Sequence, residues 1–260
     1  MTIANVNGQQ IAYSDSGGDG PALLFSHGFL MDRTMFDAQV AALKDKYRCV
    51  CWDERGFGET PATASFSYWD SADDAIALMD HLGIDEAVLL GMSQGGFLSL
   101  RAALRYPDRV RAIVLIDSGT HVDPPEVLEG YGTLIDRWRS DESLDEVAGI
   151  IASIIINDPV HSPIWIDKWK TRDRETIVLP AETLLTRDDI ADRVGEIRCP
   201  VLIIHGEEDN AIPIATAEEL AGELPDCRGF VRIPGAAHAP NMTHPEPVNQ
   251  AIAQFLDTIG

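Results

Sequence analysis

Apolar residues in this chain fall into two kinds of segment that alternate. Some are short runs that are largely apolar at successive positions, at residues 21–28, 47–53, 86–91, 110–117, 200–206 and 227–235. Others repeat apolar positions every three or four residues, at 33–47, 71–83, 97–107, 216–224 and 247–259. Continuous apolar runs suit strands buried on both faces, and a three-to-four spacing suits helices. Their alternation predicts an α/β fold with a mostly parallel sheet and helices on both faces. Residues 4–17 add a hairpin at the start. Gly83 stops one helix and Pro107 another.

The rhythm breaks between His121 and Cys199. There the apolar residues are helically spaced: Val127, Leu128, Tyr131, Leu134, Ile135 and Trp138, then Leu144, Val147, Ile151, Ile154 and Ile155, then Ile164, Trp165 and Trp169. The expectation is a core of residues 1–121 and 199–260, carrying a helical cap insertion at 122–198 over the strand ends. In open parallel sheets, sites form at the carboxyl ends of strands, so polar residues there carry the candidate chemistry.

Gly91, Met92, Ser93, Gln94 and Gly95 follow a strand and precede a helix, and they spell G-x-S-x-G. A sharp strand-to-helix turn lifts the central hydroxyl clear of the sheet, and the glycines remove Cβ clashes in that turn. An incidental serine in a glycine-rich turn is the bland reading, and the strand and helix on either side argue against it. A serine hydroxyl is a poor nucleophile without a base. Of seven histidines, His238 lies after the last strand and before the last helix, at the end of the sheet where a base is needed. His244 reads as a helix-entry residue, His205 as a core histidine, and His27 as a residue shaping the loop beside the serine. A carboxylate must orient the base. Asp209 follows one strand and Asp117 ends another, and position alone leaves both open; Glu207 and Glu208 read as solvated.

With these residues in place, the chain resembles the α/β-hydrolase fold family over essentially its whole length, and within it the serine esterases and enol-lactonases. The order Ser93, Asp209, His238 is that family's nucleophile, acid, base order. The stretch Gly206 to Pro213 is similar to the family segment that carries the acid, which favours Asp209 over Asp117. The stretch SHGFLMDRTMF resembles the oxyanion loop, implying the backbone N–H groups of Phe29 and Gln94 as oxyanion donors. WDERGFGET resembles a family turn in which Asp53, Arg55, Gly56 and Gly58 are structural. Two departures stand out: Gln94 where many relatives have methionine, with a side chain free to line the pocket, and Thr60 in place of a serine.

The resemblance implies hydrolysis of a carboxylic ester or lactone through an acyl-enzyme, with no metal or organic cofactor. Rival readings are a carbon–carbon bond hydrolase acting on β-diketone-like substrates, a cofactor-free perhydrolase, and a non-catalytic receptor on the same scaffold. A serine at the elbow argues against epoxide hydrolases and haloalkane dehalogenases, which use aspartate there. His27, Leu30, Trp138, Trp165 and Trp169 are the candidate pocket residues.

Charge narrows the partners. Twenty basic and 42 acidic residues leave a formal net charge of −22, which opposes phosphate backbones and anionic membranes. A small-molecule substrate is expected, with neither nucleic acid nor membrane as partner; oligomeric state is left open. No basic-then-apolar leader is visible and no run approaches the roughly 20 apolar residues of a membrane span, so a cytoplasmic location is expected. Cys49, Cys51, Cys199 and Cys227 have no zinc-type spacing and read as free thiols.

Overall fold

The computed structural model describes residues 2–260. Eight strands form one sheet: β1 (Thr2–Val6), β2 (Gln9–Asp15), β3 (Ala22–Ser26), β4 (Arg48–Trp52), β5 (Ala87–Met92), β6 (Val110–Ile116), β7 (Val201–Gly206) and β8 (Cys227–Ile233). Their spatial order is β1-β2-β4-β3-β5-β6-β7-β8. The first hairpin pairs antiparallel and joins β4 antiparallel, while β3 to β8 are parallel. The expected sheet is therefore the observed one.

Alternation along each strand builds two cores. Leu23, Phe25, Cys51, Leu90, Val114 and Ile204 face one side. Leu24, Val50, Leu89, Ile113, Leu115 and Ile203 face the other. Successive side chains point to opposite faces, so a strand covered on both sides must be apolar at every position. One face is covered by α1 (Asp37–Leu43) and α10 (Pro245–Ile259), the other by α2 (Tyr68–His81), α3 (Gln94–Arg105) and α8 (Ile214–Glu223).

Helix α2 starts three residues before its expected start because Ser67 caps it: its side chain accepts from the Asp70 N–H while Asp70 returns the bond, a capping box. Gly83, at φ 67°, ends it. Helix α3 also starts three residues early. Gly95 and Gly96 form its first turn rather than a loop.

Between β6 and β7 the chain runs through α4 (Pro125–Arg139), α5 (Leu144–Ile155), α6 (His161–Lys170) and α7 (Val178–Leu185), with no strand among them. The sequence pattern anticipates the first three. It misses α7, which opens through a 3₁₀ turn and carries Pro180 in its first turn. A short α9 (Pro240–Thr243) precedes α10. No described helix is long and apolar enough to cross a membrane.

Candidate active site

Ser93 sits between β5 and α3 at φ 51° and ψ −116°, a left-handed conformation that costs a non-glycine residue strain. The surroundings hold it there. Its N–H donates to Ile116 O at 2.9 Å, and Ser118 Oγ–H donates to its carbonyl at 2.8 Å. A Cβ on Gly95 would fall 2.0 Å from the Ser26 carbonyl oxygen, and one on Gly91 would fall 2.2 Å from Gly95 O. Both glycines are thus required by close backbone approach. The helix behind Ser93 directs its free N–H groups toward the serine's side of the turn.

His238 is buried in the loop after β8, and its Nδ1 lies 2.7 Å from Asp209 Oδ2. Asp209 is held on its other oxygen: Oδ1 accepts from the N–H groups of Ala211 at 2.7 Å and Ile212 at 3.0 Å. Burial alone would raise this carboxyl. The charge of His238 and the hydrogen bonds from His205, His238 and Ile212 outweigh burial and hold it far below the usual carboxylate range. Ser93 and His238 line the same cavity. Their side chains are not hydrogen-bonded to one another among the described residues, a contact that commonly tightens only with substrate bound.

Asp117 takes a different place. It is fully buried at φ 45°, and its Oδ1 accepts the Gly206 N–H at 2.9 Å. Its Oδ2 has no partner among the described residues. Burial and the neighbouring Asp209 charge push its pKa well up. His205, also fully buried, has its Nε2 2.9 Å from Ile212 O and 3.3 Å from Asp209 Oδ2. Asp117, His205 and Asp209 bring metal-ligand atoms within 4.8 Å of one another. Asp209 Oδ2 already faces His238 and His205 Nε2 faces Ile212 O, which commits two of the three donors. His244 lies at the entry to α10, as its sequence position suggests.

The loop after β3 carries Phe29 and then Leu30 at φ 63°. His27 fixes it. The Glu54 N–H donates to His27 Nε2 at 3.0 Å, which puts the ring hydrogen on Nδ1, and Nδ1–H donates to Gly28 O at 2.8 Å. Burial keeps His27 neutral by lowering its pKa. The N–H groups of Phe29 and Gln94 take part in no turn or cap hydrogen bond among the described residues.

The cavity holds about 100 Å³ and is mostly apolar. Phe29, Leu30 and Met92 contribute from the sheet side, and Leu134, Ile151 and Ile154 from the helices after β6. Of the expected lining residues, only Leu30 is there. Trp138, Trp165 and Trp169 are buried in packing instead: Trp138 stacks edge-on against Trp169 at 6.1 Å, and Trp169 Nε1–H donates to Leu30 O at 2.8 Å. Trp165 and Trp169 border a separate polar cavity of about 290 Å³ shared with Asp32, Arg33 and Lys168. His27 lies behind the loop and does not line the cavity. The Gln94 side chain also turns away from it, toward Tyr68 OH at 3.4 Å. Residues that sequence alone does not single out include Tyr131, Ile177, Leu184 and Arg187; helical spacing marks the apolar ones as inward without saying what they face.

Residues 21–245 match a family described as alpha/beta hydrolase fold. The chain is 29% identical to a bifunctional esterase/perhydrolase of Acinetobacter calcoaceticus, over 98% of each chain. Among solved structures it is similar to a thermophilic esterase from Thermogutta terrifontis, at 30% identity and TM-score 0.89, covering 99% of this chain and 98% of that one. It is similar also to the enol-lactonase from Burkholderia xenovorans, at 26% identity and TM-score 0.89, covering 98% of this chain and 100% of that one. Sheet order, helical layers and family match together establish that the chain belongs to the α/β-hydrolase fold family and is an enzyme of that fold.

Proposed function

We propose that the protein hydrolyses a small carboxylic ester or lactone, with Ser93 as nucleophile, His238 as base and Asp209 as the acid that orients it. The observation that carries this reading is the strained Ser93 turn opening into the cavity that His238 also lines, with His238 backed by an ionised Asp209 at 2.7 Å. Ser93 Oγ attacks the carbonyl carbon while its proton passes to His238 Nε2. The oxyanion is received by the N–H groups of Phe29 and Gln94, each of which stabilises the transition state by about 3 kcal/mol in comparable sites. The C–O bond to the leaving group breaks as His238 returns the proton. Water, deprotonated by His238, then attacks the acyl carbonyl and releases acid and free Ser93.

Residues 122–198 act in this reading as a cap, whose α4, α5 and α7 wall the cavity and set substrate shape. A cavity of this size with few polar groups suits a short acyl group or a small lactone ring better than a long chain. The bifunctional esterase/perhydrolase of Acinetobacter calcoaceticus favours a second acceptor, hydrogen peroxide, which at the same acyl-enzyme would give a peracid. A panel of p-nitrophenyl esters, lactones and diketones, run with and without peroxide on wild type and Ser93→Ala, tests the reading. Turnover of esters or lactones that vanishes in Ser93→Ala supports it; cleavage of diketones alone would refute it.

A further inference from the structure

We propose that the Glu54 side chain is a positioning group for Gln94, the second oxyanion donor, while its backbone N–H braces the loop that carries the first, a role that rests on the acyl-transfer reading above. Glu54 lies in the turn after β4 and is 1% exposed. Its two ends face the two halves of the oxyanion hole. The backbone N–H holds His27 Nε2 at 3.0 Å, and His27 Nδ1–H in turn holds Gly28 O at 2.8 Å. That carbonyl belongs to the peptide whose N–H is the Phe29 donor. The chain of bonds therefore fixes the plane of the peptide and polarises its N–H. At the other end, the Glu54 carboxyl faces the side chain of Gln94, the residue that supplies the second donor. The Gln94 amide oxygen meets Tyr68 OH at 3.4 Å.

Among the described residues, the Glu54 carboxyl forms no salt bridge. The adjacent Arg55 pairs through Nε and Nη2 with Asp74, and Glu54 Oε1 and Gln94 Nε2 both lack partners among the described residues. Burial, with the nearby Asp74 charge, drives the pKa of this carboxyl well up. Whether it donates or accepts, it reaches the Gln94 amide through a small rotation of either group, and so would tie the first residue of α3 to the turn after β4. At Gln94 an uncharged amide at position 54 would do the same work and an apolar side chain of similar size would not, while either keeps the backbone N–H on His27.

The experiment compares Glu54→Gln and Glu54→Leu with wild type in p-nitrophenyl butyrate turnover. It also measures inhibition by an aryl trifluoromethyl ketone, whose hemiketal oxygen occupies the oxyanion hole. Loosening the donors predicts that Glu54→Leu loses about 30-fold in kcat, below the roughly 100-fold or more of deleting a donor outright, with KM within about threefold. Its inhibition constant for the ketone rises in step with the loss in kcat. Glu54→Gln restores both to within about threefold of wild type. A folded Glu54→Leu with wild-type kcat and ketone affinity overturns the proposal, as does a Glu54→Gln that falls as far as Glu54→Leu. If Glu54→Leu does not fold, Gln94→Met cuts the same side-chain link: a parallel loss in kcat and ketone affinity supports the role, and no change in either overturns it. Ser93→Ala separates the layers. Its inactivity beside an unaffected Glu54→Leu removes the positioning role alone, whereas turnover that survives Ser93→Ala removes both.

Discussion

Replacing Asp209 by asparagine makes a sharp test because the structure fixes which way the new amide must point. Asp209 Oδ1 accepts two backbone N–H groups, from Ala211 and Ile212, so the asparagine oxygen has to take that place. The amide nitrogen is then forced into the Oδ2 position, 2.7 Å from His238 Nδ1. There it can only donate, so His238 Nδ1 becomes the acceptor and the ring hydrogen moves to Nε2. A histidine with hydrogen on Nε2 cannot take the Ser93 proton. The same nitrogen also sits about where His205 Nε2 approaches at 3.3 Å, setting one donor against another. A wrong tautomer in such a triad costs about 10⁴-fold in kcat, or roughly 5 kcal/mol of barrier at 1.36 kcal/mol per tenfold. Asp117→Asn is the control, because Asp117 contacts Gly206 rather than His238, and its effect should stay within about tenfold. Steady-state kinetics on a p-nitrophenyl ester, with circular dichroism to establish folding, reads both. Asp209→Asn within tenfold of wild type, or Asp117→Asn falling just as far, would refute the assignment of the acid.

Asp117→Asn carries a second prediction, in stability. Folding raises the pKa of Asp117, whereas the unfolded chain releases that proton above about pH 4. Wild-type stability from this group is therefore complete below that pH and declines as pH rises toward the folded pKa. The variant should gain on wild type by up to about 1.4 kcal/mol per pH unit over that window, and denaturant titrations at pH 4 and pH 7 giving the same difference would contradict it. Gly95→Ala drives a Cβ to 2.0 Å from a backbone oxygen that no side-chain motion can relieve, so a loss of about 3 kcal/mol is expected; an unchanged melting temperature would count against the elbow geometry. Ile154→Trp fills part of the cavity and should cut kcat/KM for octanoate at least about tenfold relative to acetate; an unaltered chain-length profile would show that substrate binds elsewhere.

Sequence pattern carried the sheet a long way, since the inner parallel strands are covered on both faces and are therefore largely apolar at successive positions; the edge strand β8 is less buried and carries Arg228 and Arg232. Ser93, Asp209 and His238, the proposed triad, stood out as candidates for a related reason: each follows the carboxyl end of a strand, where the fold concentrates polar residues. Asp117 stands at such an end too, and only the 2.7 Å contact between His238 and Asp209 separates the two carboxylates. The tryptophans were misleading because an aromatic residue has the same helical spacing whether it faces a cavity or a core; Trp169 instead braces Leu30 through its indole N–H. Glu54 was invisible as a special residue, since a glutamate between aspartate and arginine in a turn reads as solvated. It is buried beside Asp74 of α2 and Gln94 of α3, a tertiary arrangement that no local pattern encodes.

The central claim is that Ser93 is the nucleophile, and a fluorophosphonate probe addresses it most directly. Intact-mass measurement followed by peptide mapping should find one phosphonyl group per chain, on Ser93, with none on Ser93→Ala or, over the same interval, on Asp209→Asn. A folded protein that takes up no probe, or takes it up at another residue, would contradict the account.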